Sequence, residues 1–373
     1  MFRFTSPALT GVFLMTNALA QLPVPSSTPS PSSPPTPIKS ATPSSSPSTT
    51  PTTEELISSL GAADLQAAIT LLKNNFTNPD AINETELNRA TLQGLLIRMS
   101  RGLMLLPGQL PREGEPMNPF YSEIFDGHVG YLRLGTLASA NLKAMDKKLE
   151  EFGSKKVDAL IVDLRASAAS DFAATAEFAK RFCPKGKLLF TLRKPAARQN
   201  RSFNSDRDPS FQGLLAVLTD GDTAGGAEAL AGVLRLHDKA LVIGQPTAGR
   251  AVEYSDLALP SGKILRVAVT EAVLPEGQSL FPDGVKPDLP VDMSMVEKRQ
   301  IFQLSIEKGM GPFVYETERP HLNEAALLAG TNPELDAVEA QRRNRGREKQ
   351  PARDPVLQRA LDLVFSLAIY QKR

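Results

Sequence analysis

Residues 213–234 read "GLLAVLTDGDTAGGAEALAGVL", and this stretch decides the fold. It opens on "LLAVL", a short apolar run of strand length. It closes on "AEALAGVL", where Leu230, Val233, Leu234 and, further on, His237 share one helical face. Between them stands "TDGDTAGG", a run of small, turn-forming residues. A buried strand that turns directly into a helix is the building unit of α/β proteins, and the start of such a helix presents free N–H groups. Enzymes use turns of this kind to present a nucleophile, so the residues within it matter.

Working outward, the same alternation repeats. "HVGYLRL" from His128, "VDALIVDLR" over 157–165, "KLLFTLR" over 187–193 and "KALVIGQ" over 239–245 read as strands. "ASANLKAMDKKLEEFG", with Leu142, Met145, Leu149 and Phe152 at helical spacing, and "SDFAATAEFAKRF", opened by the Ser170–Asp171 pair, read as helices. Residues 251–274 form a hairpin around Pro260, Ser261 and Gly262. Strands alternating with helices predict an α/β core with crossover connections over 127–295.

The flanks differ in kind. Residues 1–20 carry Arg3, an apolar stretch and the small-x-small ending Ala18-Leu19-Ala20, which predicts a secretory signal peptide. Residues 21–53 are almost all Pro, Ser and Thr and predict a disordered linker. Residues 54–106 read as a helical region, with Leu65, Ile69 and Leu72 on one helix and Leu87, Leu92, Leu96 and Met99 on another. Residues 107–126 read as a connector, and 296–373 as a second helical region holding the charged loop "EAQRRNRGREKQPARD". The expected location is secreted across a membrane, periplasmic or attached to the cell envelope. Membrane contact is expected only through an uncleaved leader.

Composition narrows the function. The net charge is +1, and no basic patch is interleaved with aromatic residues, so nucleic acid is not expected as a partner. The single cysteine, Cys183, excludes an internal disulfide. It reads as a small buried residue. His128, His237 and His321 stand far apart, and neither a metal nor a cofactor is implied. Oligomeric state is left open.

Five segments in order resemble the tail-specific, or carboxyl-terminal processing, serine peptidases. "VGYLRL" is similar to the strand that enters their core. "ALIVDLR" resembles Leu-Ile-x-Asp-Leu-Arg, and "GGAEALAGVL" resembles Ser-Ala-Ser-Glu-Ile-x-Ala-Gly-Ala-Leu. "ALVIGQPTAGRAVEY" and "LPEGQSLFPDGVKPDLPV" resemble the two segments that follow. The resemblance implies a ClpP/crotonase-like core of strands and crossover helices with flanking helical segments. The connector at 107–126 is too short for the family's PDZ peptide-binding domain.

The family uses a serine nucleophile, a lysine base and a glutamine that orients the lysine. Carried over residue by residue, these positions fall on Gly225, Arg250 and Tyr254, at family-like spacing and without a gap. Glycine carries no nucleophile, and an arginine keeps its proton and makes a poor general base. The family's Asn-Pro-Gly-Gly loop is here Ser167-Ala168-Ala169-Ser170, so the oxyanion-hole-equivalent positions are Ala169, Ser170 and Gly226. Asp163 and Arg165 read as residues that hold the core. Asp222 or Thr223 reads as a cap of the helix that follows, Ser170 as a cap of its own helix, and Glu228 as a partner of the helix dipole. Thr223 is the fallback nucleophile.

Three functions follow from this reading. The first is a secreted, non-hydrolytic member of the fold that binds peptides or another ligand, polypeptide C-terminal tails among them. The second is an active endopeptidase that cleaves C-terminal regions with a relocated nucleophile. The third is a structural protein of the cell envelope.

Overall fold

The structure, a computed structural model, describes residues 53–108, 119–237, 240–314 and 352–371. The expected signal peptide, nearly all of the expected linker, His321 and most of the charged loop lie outside them. The chain divides into two units, Met1–Phe76 and Thr77–Arg373. In the first, α1 (Thr53–Ser59) and α2 (Ala62–Asn75) are described, and α2 buries none of its residues.

The second unit is built on a six-stranded sheet. Its strands are β2 (Tyr121–Phe125), β3 (Val129–Arg133), β4 (Ala159–Asp163), β8 (Leu214–Thr219), β10 (Leu241–Gly244) and β13 (Leu289–Pro290), in the order β13-β10-β8-β4-β3-β2. All neighbours are parallel except the edge pair β2 and β3. Successive side chains of a strand point to opposite faces. Leu160 and Val162 of β4 therefore join the core beneath α4 (Ser139–Ser154), α5 (Phe172–Ala179) and α6 (Gly226–His237). Ala159 and Ile161 join the core on the other face, under α7 (Met295–Lys308) and α8 (Pro355–Gln371). Both faces are covered, which is why these strands read as continuous apolar runs. α6 sits deep enough that every residue from Gly226 to Leu234 is buried.

A second sheet has five strands. β12 (Ile264–Val273) pairs antiparallel with β11 (Val252–Ala258), with β1 (Leu103–Leu106) and with β6 (Leu188–Lys194), and β6 pairs with β7 (Gln199–Asn204). No described helix is long and apolar enough to cross a membrane.

Two expectations need correction, and one strand was not foreseen. The region 54–106 is not helical throughout: α3 (Glu84–Arg98) stops, and Leu103 pairs with Val267 of β12. The connector 107–126 contains β2, whose Tyr121 pairs with Arg133. β7 is a polar, exposed edge strand without the apolar alternation that marks a strand in sequence.

Candidate functional site

The loops after the neighbouring strands β4 and β8 meet at their carboxyl ends, where open α/β sheets place their sites. There they form a two-strand parallel patch, β5 (Ala168–Ala169) against β9 (Ala224–Gly225), with Ala169 opposite Gly225. Gly225 has φ +63°, the left-handed region that favours glycine. A Cβ added there would overlap the Ala169 carbonyl oxygen. At Gly226, the first residue of α6, a Cβ would overlap the Thr175 hydroxyl. The turn is thus built around two residues without side chains. Ser170 is exposed, and the cap of α5 is its neighbour Asp171, which accepts from Ala173 N (2.8 Å) and Ala174 N (3.1 Å).

Glu228 gathers the site. Its carboxylate is fully buried and accepts four hydrogen bonds. Oε1 takes Thr247 Oγ1 and Gly249 N, both at 2.6 Å. Oε2 takes Gly225 N at 3.0 Å and Arg250 N at 2.7 Å. One oxygen therefore spans the backbones of the two positions that resemblance assigns to nucleophile and base. Burial pushes the Glu228 carboxyl up, and the four donors oppose it. Its role is larger than a dipole partner: it ties the start of α6 to the loop 247–250.

The Arg250 side chain is exposed, and no hydrogen bond or ion pair reaches its guanidinium among the described residues. It lines a cleft of about 470 Å³ together with Ser100, Arg101, Met104 and Thr247. Tyr254 of β11 does not reach Arg250 by hydrogen bond: its hydroxyl donates to the Arg101 carbonyl at 2.6 Å. Burial pushes that hydroxyl up, and the positive charge of Arg250 partly offsets this.

Thr223 is fully buried and committed. Its hydroxyl donates to the Leu164 carbonyl (2.9 Å) and accepts from Asp220 N (3.0 Å). Neither Asp222 nor Thr223 caps α6: the Thr223 hydroxyl is spent on Leu164 and Asp220, Asp222 pairs with Lys298, and Glu228 reaches back from the first turn to the Gly225 N–H. Asp220 holds the turn instead. Its Oδ1 accepts from Ala166 N (3.1 Å), Asp222 N and Thr223 N (both 3.0 Å), and its Oδ2 pairs with Lys298 of α7. Lys298 also reaches Asp222 at 2.8 Å. Nothing in the sequence marked Lys298, which looks like any charged residue on a surface helix. The Asp-Gly-Asp-Thr run did carry a signal for Asp220, since aspartate often bonds the backbone of its own turn.

Behind the turn, Arg165 is almost completely buried between two carboxylates. It reaches Asp163 at 2.6 Å and Asp354, just before α8, at 2.8 Å. His128 and His237 bond backbone carbonyls of Asp126 and Leu188 in separate places, and Cys183 is buried.

The α/β core, with its turn at the strand ends, has the following likenesses among known proteins. Residues 128–291 match Peptidase family S41. A relative, carboxyl-terminal-processing peptidase 2, chloroplastic, from Arabidopsis thaliana, is 28% identical over 201 residues, which take in 52% of this chain and 39% of that protein. The carboxyl-terminal-processing protease of Synechocystis is 24% identical over 196 residues, covering 52% of this chain and 45% of the relative. Among solved structures, the photosystem II D1 C-terminal processing protease superposes with a TM-score of 0.40 and 23% identity, over 51% of this chain and 47% of that one. The core of this chain, residues 128–291, is thus similar to peptidase family S41 and to proteins named carboxyl-terminal-processing proteases. The chain matches less than half the length of these relatives.

Proposed function

We propose that this chain is a secreted member of the family that binds polypeptide, or another ligand, in the cleft without hydrolysing it. The observation that carries this reading is Gly225. The position assigned to the nucleophile has no hydroxyl, and its left-handed φ and the adjacent Ala169 carbonyl leave no room for one. The position assigned to the base holds an arginine, Arg250, and a guanidinium makes a poor general base. The fallback nucleophile spends its hydroxyl on Leu164.

The scaffold that would hold a ligand is intact. Glu228 fixes the turn and the 247–250 loop, and Asp220 with Lys298 fixes the turn from the other side. In this proposal the binding is done by the core, 127–295. The leader and linker deliver it to the periplasm or the cell envelope. The relatives' names refer to processing of carboxyl termini, which makes polypeptide tails the first ligands to try.

Purified protein incubated with an unfolded substrate protein is expected to leave its mass unchanged. Cleavage that disappears in Thr223→Ala would establish a relocated nucleophile and end this reading.

A further inference from the structure

We infer that Lys298 and Asp220 become joined by an intramolecular isopeptide bond, an amide between Lys298 Nζ and Asp220 Cγ that fastens α7 to the turn after β8. This does not depend on whether the cleft hydrolyses its ligand.

Three observations single out this pair. The first is burial. Lys298 Nζ contacts Asp220 Oδ2, and both side chains are almost fully enclosed. Lys148, Lys155 and Lys180 also meet carboxylates, but those acids are at least 35% exposed. The second is that the two oxygens of Asp220 are unlike. Oδ1 accepts the backbone N–H groups of Ala166 (3.1 Å), Asp222 and Thr223 (both 3.0 Å). Fixed donors at this distance around one oxygen are the arrangement that steadies a developing oxyanion. Oδ2 faces the amine instead. The third is a second carboxylate on the same nitrogen: Asp222 Oδ2 meets Nζ at 2.8 Å, within reach for proton transfer. Asp222 is 38% exposed and accepts no backbone N–H among the described residues, so it is the proton carrier and Asp220 the acyl group.

The step balances without any added reagent. Asp222 takes a proton from the Lys298 ammonium and passes it to Asp220 Oδ2. The freed lone pair of Nζ attacks Cγ, and the carbonyl electrons move onto Oδ1, where the three N–H groups receive them. A second proton travels from Nζ to Oδ2, again through Asp222. The Cγ–Oδ2 bond then breaks and water leaves, so an ammonium and a carboxylate become one neutral amide. The pair lines a cavity of about 210 Å³ together with Met293, Met295 and Val356, which gives that water room to depart. Away from bulk water an ion pair loses solvation, and condensation removes both charges at once. Groups held in contact act at an effective concentration on the order of 10⁵ M, which offsets the reluctance of amines and carboxylates to condense in water. The amide keeps Oδ1 as an acceptor, so the three N–H bonds of the turn survive the reaction.

The test is the mass of the full chain, purified, denatured and weighed. Wild type is expected to be lighter by one water than its sequence, counted from the observed N-terminus. Proteolysis is expected to release one branched peptide that carries both Asp220 and Lys298. Asp220→Ala and Lys298→Arg are expected at full mass. Asp222→Ala, weighed at intervals after synthesis, is expected to form the link about a hundredfold more slowly. Wild type at full mass would overturn the inference, and that result holds whether or not any variant folds. A loss of water mapped to a succinimide at Asp220–Gly221 would also overturn it, since that ring leaves Lys298 free and gives no branched peptide.

Discussion

Arg165 and Arg250 sit at opposite extremes of one molecule. Arg165 is buried, with two carboxylates saturating its guanidinium. Arg250 is exposed and meets no carboxylate among the described residues. The first makes a scaffold: it joins the end of β4 to Asp354, whose Oδ1 also caps α8 through Leu357 N at 2.9 Å. The second offers its charge to the cleft. Buried charges are tolerated only when paired, and an unpaired cation at a cleft remains available to a ligand. The fold thus keeps its paired charges beneath the site and leaves the site itself uncompensated.

The comparison breaks hardest at Arg165. Arg165→Met leaves two buried carboxylates without a cation, and the expected cost is about 3–5 kcal/mol by chemical denaturation. Its pH dependence should change sign as well. In the wild type, burial pushes the Asp163 carboxyl up, but the Arg165 guanidinium and the Tyr131 hydroxyl outweigh it and hold it below the usual value. The stability this contributes is present above the ordinary aspartate pKa, about 3.9, and is lost as pH falls through it towards the folded value. Without Arg165, burial dominates and the folded pKa rises. The variant should then gain stability on mild acidification, in the range where the wild type gains none. A variant as stable as the wild type would show that the buried pair does not support the scaffold.

Glu228→Gln tests the link between scaffold and cleft. An amide cannot accept from all four donors, so at least one buried N–H faces another donor, at a cost of about 1–3 kcal/mol. Hydrogen exchange should accelerate at 225–228 and 247–250 and stay unchanged in α8. Uniform acceleration across the chain would mean that Glu228 supports the whole fold rather than the site.

A cost of the same order, with no gain of hydrolysis, is expected from putting the serine and the lysine in place. Gly225→Ser with Arg250→Lys costs about 1–3 kcal/mol, because serine takes a left-handed φ poorly. It should yield no hydrolysis of an unfolded substrate, since the Ala169 carbonyl occupies the space its Cβ requires. Hydrolysis by the double variant would mean that the turn readily relaxes to an active geometry.

The central strands were legible because both their faces are buried, which writes apolar runs such as "ALIVD" into the chain. β1 was not, because its partner β12 lies far along the sequence, and β2 and β7 were not, because as edge strands they carry no continuous apolar run. At the site, the glycine-rich turn and the residue types at 225, 250 and 254 were readable. The joint hold of Glu228 on Gly225 and Arg250 was not, because a first-turn glutamate looks the same whether it serves the helix dipole or bridges two loops. Lys298 and Arg101 gave no signal, since their positions beside the turn and the cleft depend on tertiary packing alone.

The central claim, a peptidase fold whose reactive centre holds no nucleophile, is tested most directly by covalent labelling. Full-length protein treated with a fluorophosphonate should show no added mass, because the assigned position is Gly225 and the Thr223 hydroxyl is buried and bonded. A stoichiometric adduct mapped to a serine or threonine of the 164–170 or 219–228 segments would contradict it.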